Sequence, residues 1–418
     1  MRSPIFLLLG VLTFSASGAE PAARWWKGNL HTHSLWSDGN DYPEMIAAWY
    51  KDRGWNFLAL SDHNILSDHE RWIAAAKGGP AALEKYVARW GEPWVERRVE
   101  EGEERVRLKT LAEFRGKLEE PGRFLMVQSE EITAPTVHIN ATNIQEKILP
   151  YTANTSDSAG VVAAMQRTVS AVLEQRQRTG VPMFPHINHP NFKWAITAEE
   201  LMQVEGERFF EIYNGHPLVR NEGDELHAGT ERMWDILLTE RLAVLGKEGM
   251  YGLATDDAHN YHNEPKKLSH PGRGWVMVRA EELEIGALIA ALEAGDFYSS
   301  SGVTLKDVRR EKGRIALEIE PESGVTYTTE FIGTRTNFDR ASQPVPDANG
   351  APLRVTQRYS KDIGTVLARV EGTSASYTPK GDEIYVRARV VSSKRKADPA
   401  VEGEFEQAWT QPLVVSGR

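Results

Sequence analysis

The 418-residue sequence has no cysteine, which excludes disulfides, thiolate metal sites, a cysteine nucleophile and the acylated cysteine of a bacterial lipoprotein. Any metal it binds is held by nitrogen and oxygen. Positive charge is in deficit, with 49 Lys and Arg against 59 Asp and Glu and a formal net charge of −10. That is the wrong sign for stable nucleic-acid binding through counterion release. Long apolar runs are missing except at the start, where Ile5 to Phe14 follows Arg2 and leads into Ser17-Gly18-Ala19. This run is too short for a membrane span of ~20 residues. Its charged, apolar and small-residue regions read as a secretory signal over residues 1–19. The expectation is cleavage after Ala19, export to a periplasm, and no membrane attachment afterwards. Histidine has a gap of its own: all 12 lie between His31 and His270, so imidazole chemistry belongs to the first domain.

What the chain does have is an alternation of short apolar runs and longer amphipathic stretches. At 41% hydrophobic and 26% charged residues, it is long enough for two to three compact units of roughly 150 residues each. Phe57–Leu60, Phe124–Val127, Val181–Phe184, Phe209–Tyr213 and Tyr251–Ala254 read as buried strands. Between them Val161 to Arg178 sets Val162, Met165, Val169, Val172 and Leu173 at helical spacing. This is the rhythm of parallel βα units. Residues 66–122 are too many for one crossover and rich in Glu, Arg and Trp. They read as a helical insertion, with helices around Arg71–Ala76 and Trp94–Leu118, and Trp72, Trp90 and Trp94 as its local core. After Gly302 the pattern changes to period two in Arg314–Ile319, Gly364–Val370 and Glu383–Val390, separated by Pro- and Gly-containing turn clusters. A small β-sandwich over residues 303–418 is predicted.

The chemistry concentrates at the ends of the apolar runs. On an extended strand residues two apart share a face, so His31 and His33 of Asn29-Leu30-His31-Thr32-His33 can converge on one metal. Alone, such a pair is weak evidence. Here Ser61-Asp62-His63-Asn64 closes the next run, and Ser129-Glu130-Glu131-Ile132-Thr133 closes the third, with His138 after it. Later runs end in His186-Ile187-Asn188-His189-Pro190 and Thr255-Asp256-Asp257-Ala258-His259. Strand C-terminal ends are where parallel barrels build their sites. Glu130, Asp256, His186 and Asp62 read as strand-end caps or as orienting partners of ligand imidazoles. His69, His227 and His270 read as surface residues. Loops on the same mouth carry the substrate candidates of Tyr213-Asn214-Gly215-His216 and Asn260-Tyr261-His262, Asn214 and His262 foremost, and the cations Lys193 and Arg220, which can pair with an anionic group.

This order of motifs resembles the polymerase and histidinol phosphatase (PHP) superfamily over Trp26 to Gly302, the last part being Leu292 to Gly302. The resemblance implies an α/β fold, a distorted (β/α)7 TIM-like barrel over residues 24–302 around two to three divalent metal ions. Carried over by position, it assigns His31, His33, Glu131 and Asp257 to a first metal, and Glu131, His138 and His189 to a second. Asp38, His63 and His259 fall to a third, with Asp38 standing where other members have histidine. Strand parity leaves Glu130 and Glu131 open; the resemblance prefers Glu131 because an Ile and a Thr follow it. Asp257 is preferred over Asp256 for its two-residue step to His259, and His189 over His186 because the motif ends in His-Pro.

Clustered dications ionise water near neutral pH and neutralise charge on reacting oxygens, which suits a phosphoesterase whose hydroxide nucleophile is shared by the first two metals. Glu131, Asp257 and His259 are the residues expected to carry catalysis. Imidazole and carboxylate suit zinc, manganese and iron alike. The branch with the short Glu-Ile-Thr to His138 spacing includes carbamate hydrolases, so a carbamate or carboxyl ester is the alternative. A non-catalytic ligand-binding protein is a second one. The expected partner is a small-molecule ester, with no protein partner evident.

Overall fold

The computed structural model describes residues 23–152, 155–262, 267–311 and 313–415; the expected signal over residues 1–19 lies outside them. In chain order the strands of the first part are β1 (Arg24–Asn29), β2 (Phe57–Leu60), β3 (Arg71–Ala74), β4 (Arg97–Glu100), β5 (Glu103–Leu108), β6 (Leu125–Thr133), β7 (His138–Thr142), β8 (Phe184–Ile187), β9 (Phe209–Asn214) and β10 (Tyr251–Thr255). Every residue of β2 and β9 is buried, the pattern of strands covered on both faces. Neighbours β1, β2 and β6 run parallel, as do β8, β9 and β10. The helix Ser158–Thr179 realises the amphipathic period. Asp157 caps it by accepting from the Gly160 amide at 2.8 Å, and Gly180, at a φ of 69°, ends it.

The ladders form an open mixed sheet, not the distorted (β/α)7 barrel expected. β7 is antiparallel to both β6 and β8, because only residues 134–137 separate it from β6, too few for the crossover that parallel pairing needs. Closure fails at β1. Its second edge is taken from Arg24 to Gly28 by the antiparallel β11 (Trp275–Ala280). The segment after β10 meets the segment after β1 through the isolated bridge Thr32–Ala258, which is not a strand ladder.

The remaining strands are β12 (Phe297–Ser300), β13 (Leu305–Glu311), β14 (Arg314–Ile319), β15 (Tyr327–Arg335), β16 (Ser342–Gln343), β17 (Arg358–Tyr359), β18 (Thr365–Glu371), β19 (Ser374–Tyr377), β20 (Glu383–Arg395), β21 (Phe405–Thr410) and β22 (Leu413–Val414). Among the described residues one fourteen-stranded sheet runs β10-β9-β8-β7-β6-β2-β1-β11-β12-β21-β20-β15-β18, with β22 on β20. The C-terminal strands thus extend the central sheet through the β12–β21 ladder. A three-stranded sheet, β13-β14-β19, packs on that extension around Leu305, Ile315, Leu317, Phe331 and Val390. Buried Arg387 on β20 lies over Trp234 and holds Asp235 through Nε and Nη2 at 2.8 and 2.7 Å, tying the extension to the helix Thr230–Thr239.

The insertion is not mainly helical. Arg71–Ala74 is a strand, and β3, β5 and β4 form an antiparallel sheet, leaving Pro80–Trp90 and Leu111–Leu118 as its helices. Glu and Arg favour helix locally, but Glu101 and Gly102 both take positive φ, 53° and 82°, and close a two-residue hairpin between β4 and β5. Cross-strand pairs Arg97–Glu104 and Arg105–Glu100, at 3.5 and 2.9 Å, then replace helical i,i+4 pairs. Trp90 and Trp94 pack on each other at 5.8 Å as part of the insertion's own core.

Candidate metal centre

The centre is built where the chain leaves β1. His31 Nδ1 bonds to Glu211 Oε1 at 2.7 Å, so Nδ1 carries a proton and Nε2 is the nitrogen left to face the centre. That Nε2 faces His33 Nε2 at 3.1 Å, and Asp257 Oδ1 lies 3.2 and 3.1 Å from the two. Two imidazole nitrogens and a carboxylate oxygen therefore converge on one point. Asp257 sits at a φ of 49°, left-handed backbone that a non-glycine residue keeps only where its surroundings hold it. They do: its amide donates to His31 O at 3.1 Å, and its carbonyl accepts from Ser269 Oγ at 2.5 Å and lies 2.9 Å from His259 Nδ1.

Glu131 joins two further groups. Its Oε1 takes His138 Nδ1 at 2.9 Å and Asn188 Nδ2 at 2.7 Å, with His189 Nε2 at 3.4 Å. Its Oε2 is buried 2.6 Å from His63 Nδ1, 3.4 Å from His33 Nε2 and 3.6 Å from His31 Nε2, without an aligned hydrogen bond from any of them. Nearest the surface, His33, Asp38, His63 and His259 form a group. Asp38 Oδ1 lies 3.4 Å from His259 Nε2 and Oδ2 3.5 Å from His63 Nε2, and the Asp38 side chain is 58% exposed. All nine residues expected as ligands fall in such groups, together with His186 and Glu211, but the expected second set is divided: His138 groups with His63 and Glu131, and His189 with His31 and Asp257.

Neighbouring charges hold these groups away from their ordinary protonation. Burial would raise the Glu131 carboxyl, but His63, His138 and His31 pull it well below the usual range. Asp257 is likewise pulled down by His31, His33 and His259 against its burial. Burial opposes a charge on His63, yet Glu131 and Asp38 push it to about 11. His33 goes the other way, to about 3, through burial and then repulsion from His259 and His63.

Outer partners fix these side chains, and the sequence pattern showed only some of them. Glu211, in the middle of β9, binds His31, the His189 amide (2.9 Å), Asn214 Nδ2 (2.8 Å) and Thr255 Oγ1 (2.8 Å). A carboxylate inside the apolar run Phe209–Tyr213 was the available signal. Asp62 accepts from the Ser34 and Ser37 amides and hydroxyls, shaping the turn that presents Asp38. Gly39 closes that turn because a Cβ there would stand 2.4 Å from His33 O. Glu130 faces away and accepts from the Ile148 amide at 2.9 Å. Asp256 is bound by Tyr50 Oη at 2.7 Å, the Gly272 amide at 2.6 Å and Asn29. His186 is buried 3.5 Å from Glu211 Oε1.

The loop residues expected to touch substrate are placed differently from one another. Asn214 is fully buried and donates to Glu211 and, at 3.1 Å, to Asp257 Oδ2, so it orients a ligand. His262 uses both ring nitrogens on its own surroundings, Nδ1 with Lys85 Nζ at 2.9 Å and Nε2 with Asn40 O at 3.0 Å, latching the insertion to the loop after Asp38. Lys193 and Arg220 are exposed, the former with its ammonium 5.0 Å from the Phe192 ring. His227 and His270, expected at the surface, are half-buried: one stacks on Trp194 at 3.9 Å, the other bonds Asp398 at 2.9 Å. His69 is exposed beside Asp68.

No family model and no curated protein matches this chain. One similar solved structure is a two-domain protein containing a predicted PHP-like metal-dependent phosphoesterase from Bacteroides vulgatus ATCC 8482. It is 14% identical, over 94% of this chain and 95% of that one, with a TM-score of 0.39. A likeness of that size leaves the reading to the residues themselves.

Those residues fit divalent cations. A buried carboxylate oxygen ringed by three imidazole nitrogens without an aligned hydrogen bond is a polar atom that folding does not otherwise satisfy among the described residues. A bound cation would supply the missing interaction. The donor set of imidazole and carboxylate, free of sulfur, is that of zinc, manganese or iron sites.

Proposed function

We propose that the chain is a metal-dependent hydrolase of the PHP superfamily that cleaves phosphoric esters. The observation that carries this is Glu131, whose two oxygens face different ligand groups: Oε1 the His138–His189 pair, and Oε2 the His31–His33 pair and His63. One carboxylate can then be shared by two cations. His31, His33, Glu131 and Asp257 would hold a first, Glu131, His138 and His189 a second, and Asp38, His63 and His259 a third. Bound there, the cations supply an ionisable water and positive charge for phosphoryl oxygens.

The chain's own residues do the rest. Glu211 fixes the tautomer of His31, Asn214 and Asn188 each hold a carboxylate oxygen in place, and Asp62 presents Asp38. The exposure of Asp38 marks the side from which an ester enters. A phosphoryl group offers several anionic oxygens to such a cluster, whereas a neutral acyl centre needs less positive charge.

The test is a parallel screen of aryl phosphomonoesters, aryl phosphodiesters, carboxyl esters and carbamates on metal-supplemented protein. Phosphoester turnover is expected to lead. Metal-dependent cleavage of carbamates or carboxyl esters alone would move the assignment to the acyl reading. Binding of a phosphorylated ligand with no turnover of any ester would make the protein a sensor. Export remains part of the proposal, with a mature chain beginning at Glu20. N-terminal sequencing of periplasmic protein checks it, and an intact Met1 in a cytoplasmic fraction would refute it.

A further inference from the structure

The loop after β9 carries an imidazole that none of the ligand-spaced groups includes. We propose that His216 is a catalytic residue, a neutral donor whose Nε2–H hydrogen-bonds an oxygen of the bound ester. This rests on the hydrolase reading above and adds a residue to it.

The tautomer follows from the backbone. The Leu218 amide donates to His216 Nδ1 at 3.1 Å, so Nδ1 carries the lone pair and the single ring proton is on Nε2. Nε2 has no hydrogen-bond partner among the described residues, and the residue is half-buried, so this N–H is open to the solvent at the site. Of the other loop residues, Asn214 and His262 use their polar groups inside the protein, and Lys193 and Arg220 are exposed long side chains with no contact to the centre among the described residues.

The ring is held at the mouth of the centre. It meets the His259 ring edge-on at 5.5 Å and the Phe192 ring at 6.1 Å. Its backbone is pinned on both sides: its amide donates to Asn214 Oδ1 at 2.8 Å, and its carbonyl accepts from the Val219 amide at 3.0 Å. Gly215 lets the loop lie that close, since a Cβ there would stand 2.6 Å from the Arg273 Cβ and 3.0 Å from Asp256 O. The isolated bridge Phe192–Val219 joins this loop to the one after His189. A fixed N–H at this position has a use for an oxygen that gains negative charge during hydrolysis.

The experiment compares wild-type full-length protein with His216→Ala and His216→Gln, each loaded with the metal that supports activity. Gln keeps an N–H donor at similar reach. His216→Ala should lose on the order of 10²-fold in kcat, the scale for one such donor, with unchanged metal stoichiometry by elemental analysis. His216→Gln should recover most of it. Calorimetric titration with inorganic phosphate, independent of turnover, should show about tenfold weaker binding for Ala and near wild-type binding for Gln. An Ala variant within twofold of wild type in both measurements overturns the proposal. So does loss of a metal ion in that variant, which would make His216 a ligand, or a Gln variant no better than Ala, which would make the ring a packing element. If wild type cleaves only carboxyl or carbamate esters, the phosphoester reading fails by itself. The same three proteins on that ester then decide the role of His216.

Discussion

Glu131→Gln is expected to lower metal content and to cost more activity than the roughly 10–100-fold that loss of an outer partner costs. The amide keeps the shape of the side chain but has one oxygen and no charge. The two oxygens of Glu131 face separate imidazole groups, so one substitution weakens both. Glu130→Gln is the internal control, because that carboxylate is turned to the Ile148 amide and should leave metal content unchanged. Glu211→Gln belongs between them: it holds His31 by its far nitrogen, and its loss should fall in the outer-partner range. Elemental analysis and kcat/KM on the three variants give the ranking. Metal loss in Glu130→Gln with none in Glu131→Gln would reassign the shared position to Glu130. The same logic places Asp257→Asn above Asp256→Asn.

Removal of metal should abolish hydrolysis and lower the melting temperature, and protein isolated without chelator should carry more than one first-row divalent ion per chain. Nine ligand residues in overlapping groups are too many for one coordination shell of four to six. Stability provides a second reading. Without cations the buried Glu131 and Asp257 carboxylates are balanced only by neighbouring imidazoles, whereas a ligand that binds only the folded state adds about 4 kcal/mol at a free concentration a thousandfold above its dissociation constant. Supplementation with zinc, manganese and iron in turn, followed by elemental analysis and a thermal melt, tests both. A stoichiometry that stays at or below one after all three would remove the multi-cation centre.

Several parts of this architecture were legible in the chain because local physics decides them. Phe57–Leu60 and Tyr251–Ala254 are apolar on both faces and bounded by polar ends, and they fold as strands. Arg314–Ile319 alternates, and its burial alternates with it. The insertion departs from the helical expectation because Glu and Arg at 96–107 favour helix one residue at a time, while the Glu101-Gly102 turn pairs β4 with β5 and β3 adds to the other edge of β5. Barrel closure was likewise not a local matter. It depended on which strand took the second edge of β1, and β11 took it.

In the centre, the sequence by itself determined the ligand types and spacing: His31 and His33 two apart, His63 beyond β2, and Asp257 two before His259. Only the tertiary structure decided which member of each adjacent acidic pair faces the cluster. Strand parity puts neighbours on opposite faces, but Glu130, Glu131, Asp256 and Asp257 are all buried, so a buried side chain could face either the centre or the surrounding core. Packing resolved it, giving Glu130 to the Ile148 amide and Asp256 to Tyr50 and Gly272, and leaving Glu131 and Asp257 among the imidazoles. The same holds for Asn214, the last residue of β9, and His216 two residues on. One is turned inward to Asp257 and the other lies beside the His259 ring, because Gly215 lets the loop close onto the Asp256 turn.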